Sequence, residues 1–418
     1  MPSTESETLR AQIGKHWYRE IDKKQWKVYV AAYLGWGLDF FDLMLFYFVM
    51  VFIGRSLKLN TGQLGLLASA ALIASAFGGL LFGFVADRFG RKSSMILSIF
   101  IYAIATGLCG VSHTLTTLMV FRVFVGLGIG GEWSTGVAWV SEVAPKQYRV
   151  RILSIIQSAN VVGVICAVLL TGIMVPRFGW RSVFLVGVLP ALLALWISWG
   201  LTESDIWSRR EKISSSHLFK ELVTTSGKNL VLCTILASLG MIGYWAIQSW
   251  VPTYLAMPVA AGGRGLNLMR TTMWIVTIPL GGIVGHIAFG FIAEKVGLKI
   301  TFVLYLLLAA IVMPLYFTAR DVNVLLYLGP IIGVACAYYA GFAAYFPAMF
   351  PTRVRGTGQG VAYNVGRAIS GLTPAAVGGI AMKVGMGNAL LMATGIFVVA
   401  ALFVIFAMPN LKHDLTIQ

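Results

Sequence analysis

The sequence predicts an all-α membrane protein with twelve transmembrane helices in two pseudo-symmetric six-helix bundles. Three observations predict it: an apolar composition with few charges, twelve apolar runs of spanning length, and a motif that returns half a chain later. Of the 418 residues, 58% are hydrophobic and 11% charged, where a soluble domain carries about 25% charged residues. So few charges cannot cover the surface of a water-soluble protein of this length.

Crossing the hydrocarbon core as a helix takes about 20 apolar residues. By that rule the chain opens with a polar leader over 1–27, followed by spans near 28–53, 63–84, 93–112, 117–140, 152–175 and 181–201. A polar linker over 202–228 precedes spans near 229–255, 271–291, 300–318, 323–347, 358–382 and 388–408, with a tail over 409–418. The two bundles are therefore expected at 28–201 and 229–408. The leader carries charges of both signs and runs straight into the first apolar stretch, unlike a cleavable signal peptide. From Leu9 to Lys27 it reads equally as a basic amphipathic helix or a solvated leader.

The formal charge of +16 does not point to nucleic acid, because the cations form short clusters between apolar runs. Most of the 32 Lys and Arg fall in segments that an N-in, C-in topology places inside, as the positive-inside rule requires. The expected location is a bacterial cytoplasmic (inner) membrane, multi-pass, with both termini cytoplasmic. Cys109, Cys166, Cys233 and Cys336 lie singly in apolar segments, so no metal or disulfide framework is expected. No cofactor is expected either. The five histidines are scattered and no nucleophile, base or metal cluster appears, which argues against an enzyme. The linker and tail are too short for a sensor's output domain.

The internal repeat supports the division into six plus six. Gly83-Phe-Val-Ala-Asp87-Arg88-Phe-Gly90-Arg91-Lys92 after span two returns as Gly290-Phe-Ile-Ala-Glu294-Lys295-Val-Gly297-Leu-Lys299 after span eight, 207 residues on. Pro145-x-x-x-Arg149 after span four returns as Pro351-x-x-x-Arg355 after span ten, 206 residues on. Parallel halves of this kind place a binding site between them at mid-membrane. Gly83 and Gly90 suit a tight turn where backbones approach. Asp87 can pair with a cation across the inner face or cap a helix end. Asp87, Arg88, Arg91, Glu142 and Arg149 in the first half, with Glu294 and Arg355 in the second, form a candidate gate that latches the halves and parts when they rock. Positive-inside anchoring is the plainer reading of the cations, but it does not require the Asp.

These residues resemble the major facilitator superfamily. Arg122-x-x-x-Gly126-x-Gly128-x-Gly130-Gly131-Glu132, Gly179-Trp180-Arg181 and Glu203-Ser204-x-x-Trp207 extend the resemblance over nearly the whole chain. Gly37-Leu-Asp39-Phe-Phe-Asp42 is similar to the Asp-x-Phe-Asp signature of the sialate:proton and aromatic acid:proton symporters, and Gly-Gly-Glu-Trp at 130–133 is similar to the metabolite:proton symporters. Phe40 stands where the aromatic acid group usually has a small residue, which favours the sialate-type branch. The resemblance implies a monomeric, proton-coupled symporter in the lipid bilayer. It would import an organic anion such as a sialic acid, an aromatic acid or a small carboxylate by alternating access. A proton antiporter exporting drugs or metabolites is the alternative, disfavoured because 152–175 lacks the proline of the antiporter motif. Facilitated uniport of a neutral solute leaves two adjacent acids in span one without a purpose.

Ionisable side chains at bilayer depth are expensive and are functional candidates by default. Asp39 and Asp42 stand three apart on one helical face and would share a proton between them, or bridge to a neighbouring helix. Glu132, in the middle of span four, is a second proton site, a substrate-ordering group or an ion-pair partner. Arg122 is expected to face Asp42. Arg367 presents a planar fork suited to a carboxylate and is the preferred ligand for an anion, or else pairs with Glu132. His286 reads as a packing hydrogen-bonder. Gln157, Asn160, Gln248 and Asn364 offer directional hydrogen bonds, and Trp36, Trp133, Trp245, Tyr338, Tyr339, Tyr345 and Tyr363 are candidate cavity rings. Pro190, Pro252, Pro279, Pro330 and Pro374 mark possible kinks.

Overall fold

A computed structural model describes residues 18, 21–145, 152, 155–203, 215–351 and 354–410. The first half contributes α1 (Lys23–Leu57), α2 (Thr61–Phe89), α3 (Arg91–Gly110), α4 (Leu115–Val143) and α5 (Ile155–Phe178). Its last helix, α6, is broken into Trp180–Val186 and Pro190–Gly200. The second half contributes α7 (Ser215–Ala256), α8 (Leu268–Val296), α9 (Leu298–Thr318) and α10, whose segments Val322–Cys336 and Ala340–Met349 flank a 3-10 turn. It ends with α11 (Arg355–Ser370 and Thr373–Val384) and α12 (Met386–Ala393 and Gly395–Ala407).

Two helix starts differ from the sequence reading. α1 begins at Lys23, before the expected Val28, because Asp22 and Gln25 close a capping box that carries the helix into the leader. α7 begins at Ser215, inside the expected linker, with a non-helical Ser226 where the polar stretch meets the apolar one. Eleven helices among the described residues are long and apolar enough to cross a membrane. The twelfth is α11. Its first segment carries Arg355, Gln359, Asn364 and Arg367, a polarity that lipid would not tolerate but the protein interior can hold.

The repeat seen in sequence is also a repeat in packing. α2 packs on α4, α1 on α5 and α3 on α6; α8 packs on α10, α7 on α11 and α9 on α12. At the α2–α4 crossing a Cβ on Gly126 would strike the carbonyl of Ala71, and a Cβ on Gly78 would strike the backbone of Leu127. The same contacts recur 207 residues later: Gly333 against Ile278, and Gly285 against Val334. Backbone-to-backbone contact through small residues is how membrane helices associate without a hydrophobic drive. Gly90 and Gly297 end α2 and α8 at φ values of 102° and 91°, a backbone region open to glycine and costly for other residues.

The halves meet through α1 with α7, α2 with α11, and α5 with α8. Take the side from which α1 starts as the near side. The tight crossings then lie at mid-depth and on the far side. The Thr61 hydroxyl donates to the Gly378 carbonyl at 3.0 Å, and the Ala375 amide donates to Ser69 Oγ, also at 3.0 Å. Ala375 lies in the first turn of the second α11 segment, where amides lack an intrahelical partner. Ser69 therefore caps a helix of the opposite half. Gly65 against Pro374 and Gly172 against Thr272 leave no space for larger residues at these crossings.

Because that cap exists only while the far side is closed, Ser69→Ala should shift the protein towards the far-side-open state. Losing a cap costs about 1 kcal/mol, so the open population should rise roughly fivefold. Spin labels at Ser56→Cys and Lys383→Cys, in a background without Cys166, should show a larger long-distance fraction in electron–electron resonance. An unchanged distribution would remove Ser69 from the seal.

Candidate functional site

The site is assembled around α1. Gly35 and Gly37 strip one stretch of this helix of side chain. The Glu132 carboxyl of α4 lies over Gly35, in space that a Cβ would take. Gly37 meets Ala159 of α5 and presents its carbonyl to Gly163. One turn beyond Gly35, Asp39 is fully buried, with neither carboxyl oxygen hydrogen-bonded. The charges acting on it come from Glu132, Arg367 and Asp42. Tyr102 of α3 is a further neighbour, and its buried hydroxyl also lacks a partner.

Asp42 occupies a second, adjoining position. Thr106 of α3 donates its hydroxyl to Asp42 Oδ2 at 3.2 Å, while Oδ1 is unpartnered and lies beside Gly187, where α6 breaks. Arg122 of α4 is the cation that acts on Asp42. Its guanidinium stands 4.1 Å from the centre of the Phe46 ring, and its Nε and Nη2 make no hydrogen bond. A desolvated cation–π contact is worth about 2 kcal/mol, less than the several kcal/mol that burying an ion costs.

The second half faces this cluster with Arg367. It sits in the last turn of the first α11 segment, buried, with Nε unpartnered. Its electrostatic neighbours are Asp39 and Tyr47 of the first half and Tyr339 and Tyr363 of the second. The Tyr339 and Tyr363 hydroxyls bond each other at 2.7 Å. Trp245 of α7 crosses to α1, its ring centre 6.3 Å from Phe40 at an interplanar angle of 16° and 6.4 Å from Tyr47. Asn364 of α11 lies against Gly79 of α2 and donates Nδ2 to the Gly360 carbonyl. No ion pair forms within the five-charge cluster among the described residues.

The expected site residues thus separate into groups. Asp39, Glu132 and Arg367 come together between the halves, with Asp42 and Arg122 beside them. Asn160 and Gln157 of α5 each have an unpartnered carbonyl oxygen. Trp36 is buried edge-on to Phe40 at 5.0 Å. Gln248 is turned to the Tyr244 hydroxyl at 3.1 Å. Tyr338 does not join them. Its hydroxyl donates to the Gly240 carbonyl at 2.7 Å, and its ring packs among Phe302, Phe342 and Phe397 of the second half. Its neighbour Tyr339 takes the position beside Arg367, as adjacent residues on a helix point in different directions. Glu132 does not pair with Arg367, and His286 bonds the Gly282 carbonyl of its own helix, which is the packing role expected.

Several of the candidate gate residues are bonded within their own half. Arg91 reaches Glu142 at 2.9 Å through Nη2 and 3.1 Å through Nε, an ion pair between α3 and α4 of one half, not across the halves. Glu203, after α6, accepts from the amides of Arg91 at 2.9 Å and Lys92 at 3.2 Å, capping α3. Its carboxylate fills the space beside Gly90. Gly83 faces open space, Arg88 is exposed, and Arg355 donates Nε to the Phe350 carbonyl at 3.3 Å. Arg149 and the side chains of Asp87, Glu294 and Trp133 lie outside the described residues. Phe46, Tyr47, Thr106 and the capping role of Glu203 were missed in sequence. Only the i, i+4 spacing of Asp42 and Phe46 on α1 hinted at the first of them.

Residues 32–269 match the family model described as Major Facilitator Superfamily. The chain belongs to the major facilitator superfamily. It is 31% identical over 408 residues to the sialic acid transporter NanX of Escherichia coli, covering 96% of this chain and 98% of that protein. It is 31% identical to the cis,cis-muconate transport protein of Acinetobacter baylyi, over 91% of this chain and 92% of the relative. A putative metabolite transport protein of Haemophilus influenzae is also 31% identical, over 94% of this chain and 98% of its own. In fold, it superposes on a crystal structure of a D-xylose–proton symporter with a TM-score of 0.79 at 17% identity, over 94% of this chain and 100% of that one. A bacterial homologue of the human lysosomal transporter Spinster, inward-facing and occupied, gives 0.76 at 18% identity, over 94% and 98%. This facilitator-superfamily member is therefore a multi-pass membrane transporter of the twelve-helix fold, not an enzyme.

Removing the α3 cap should weaken the first half without touching the central cluster. Glu203→Ala is expected to cost about 1–2 kcal/mol, read as a lower midpoint in thermal unfolding of detergent-purified protein. An unchanged midpoint would show that the Glu142–Arg91 pair alone holds that corner.

Proposed function

We propose that the protein is a proton-coupled symporter that imports an organic anion by alternating access. The near side is then the cytoplasm, both termini are cytoplasmic, and the membrane is the bacterial inner membrane. The observation that carries this reading is the mid-membrane cluster of three carboxyls and two guanidiniums with no ion pair among them and several polar atoms unpartnered. Such groups are retained at bilayer depth when a proton or a ligand completes them. The sealed far side fits an inward-facing state, and the relatives named above include carriers of sialic acid and muconate.

In this mechanism the coupling proton is held at Asp39 with Glu132 and Asp42, the two carboxyls that act on it, and Arg122 faces Asp42. The substrate carboxylate takes the open Nε face of Arg367. With one proton, the three carboxyls balance the two guanidiniums of the empty site; the anion on Arg367 is balanced by a second proton, and with both bound the halves can rock without carrying a net charge through the membrane interior. Moving an anion together with one or more protons also reduces the work done against the membrane potential. A monomer is sufficient for this cycle, because the cluster lies wholly within one chain.

Purified protein in proteoliposomes containing a pH dye, given organic acids outside, should acidify the lumen only when a substrate is present. Asp39→Asn or Asp42→Asn should abolish uphill accumulation while substrate exchange continues. Arg367→Lys should weaken anion affinity by about tenfold or more, as expected for a lost charge-assisted fork. Silence across sialic, aromatic and small carboxylic acids would instead favour export, with lipophilic cations tested next. Accumulation that survives in both Asp variants would take those residues out of coupling.

A further inference from the structure

On the far side the exposed charge is nearly all of one sign. Arg55 and Lys58 stand at the end of α1, Arg177 in the last turn of α5 and Arg270 in the first turn of α8. Arg320 follows α9, Lys383 lies in the last turn of α11, and all of these cations are exposed. Asp321 is the one carboxylate on this face among the described residues, and it accepts from the Asn323 amide at 2.8 Å as the cap of α10. Insertion into a membrane favours Lys and Arg on the cytoplasmic face. With the near side as the cytoplasm, as proposed above, these cations stand against that bias and call for a use.

The charge surrounds a hollow of about 520 Å³ at the corner where α1, α5 and α6 meet α8. Arg55 and Ser56 supply its polar side, Phe52 and Trp180 its apolar side, and Leu268 closes it from the second half. Arg181 lies over the Trp180 ring, 4.2 Å from its centre. Leu268 is the first residue of α8, so the positive end of that helix dipole opens on the hollow as well. One turn further in, Gly172 of α5 meets Thr272 of α8, the crossing that closes this corner of the far side. The hollow therefore lies just outside the seal, on the line along which the halves part. We propose that it is an outer binding site for the organic anion, with the carboxylate on Arg55 and the apolar body against Phe52 and Trp180. The exposed cations draw the anion in, because a surface of one sign raises the local concentration and capture rate of its counter-ion. When Gly172 and Thr272 separate, the hollow becomes the mouth of the path to Arg367. The inference rests on the symport reading above for its direction, and adds a site which that reading does not contain.

Ser56→Cys, in the background without Cys166, puts a thiol in the hollow while the other native cysteines are buried. Its reaction rates with an anionic sulfonatoethyl and a cationic trimethylammonioethyl methanethiosulfonate report the local potential, since their ratio cancels accessibility and thiol ionisation. In phosphatidylcholine vesicles at low salt the anionic reagent should lead by about tenfold relative to a free thiol. The lead should shrink in strong salt, where the screening length falls to about 3 Å. Arg55→Gln should remove most of it and Arg55→Lys should keep it; Arg177→Gln with Arg270→Gln repeats the test from the rim should Arg55→Gln fail to insert. Whichever of benzoate, cis,cis-muconate and N-acetylneuraminate gives a proton signal in proteoliposomes should slow the anionic reagent, and its methyl ester should not. Arg55→Gln should raise the KM of that acid about threefold or more. A rate ratio near one, or no protection by the carried acid, would overturn the outer site and leave symport standing. A lead that vanishes when phosphatidylglycerol is added would assign Arg55 to a lipid phosphate and overturn it too. A tenfold lead without a proton signal from any acid would overturn symport and leave an anion-attracting outer face standing.

Discussion

The structure is organised around a problem of charge. Asp39, Asp42, Glu132, Arg122 and Arg367 are all buried near mid-membrane, where an ion without water or a partner costs several kcal/mol. They are close enough to act on one another but do not neutralise one another by direct contact. A fully paired cluster would be stable in one arrangement and indifferent to protons or anions. This one is incomplete, so its energy depends on what binds.

Holding such a cluster open requires walls that do not collapse on it, and the glycines supply them. Where Gly126, Gly78, Gly333 and Gly285 meet neighbouring backbones, helices within each half lock by main-chain contact, and the halves behave as stiff bodies. Between the halves, glycine crossings such as Gly65 with Pro374 close the far side, joined by hydrogen bonds such as Ser69 with Ala375 and ring contacts through Trp245. Stiffness within and weak, reversible contact between are what rigid-body rocking needs.

Much of this was legible in the sequence because membrane proteins announce their spans and their exceptions. The twelve apolar runs, the 207-residue echo and the isolated acids in spans one and four all follow from rules that admit few alternatives. Gly90 is instructive. Its place in a loop motif was readable, but the Glu203 carboxylate that also demands a glycine there comes from 113 residues away in the chain, and no local pattern encodes it. Tyr338 and Tyr339 mark the other limit. Adjacent tyrosines on a helix differ by a fixed rotation, so only one meets Arg367, and tertiary contacts, Tyr338 with Gly240 and Tyr339 with Tyr363, fix which one it is. Arg91 poses a similar problem, since charge alone does not say whether a partner lies within a half, as Glu142 does, or across it.

α11 shows why polarity can be a better guide to function than hydropathy is to topology. Its first segment is the span that fails the test of length and apolarity, and it carries both Arg367 and Asn364, which face the other half. A helix this polar can stay in the membrane only if its polar face never meets lipid. That requirement forces α11 against α2 on one side and α7 on the other. The residues that make it a poor membrane helix are therefore the ones that fix its place at the boundary between the halves. Its break just beyond Arg367, at Gly371 and Leu372, lets the outer segment take its cap from Ser69 while the inner segment presents the guanidinium to the acids of α1.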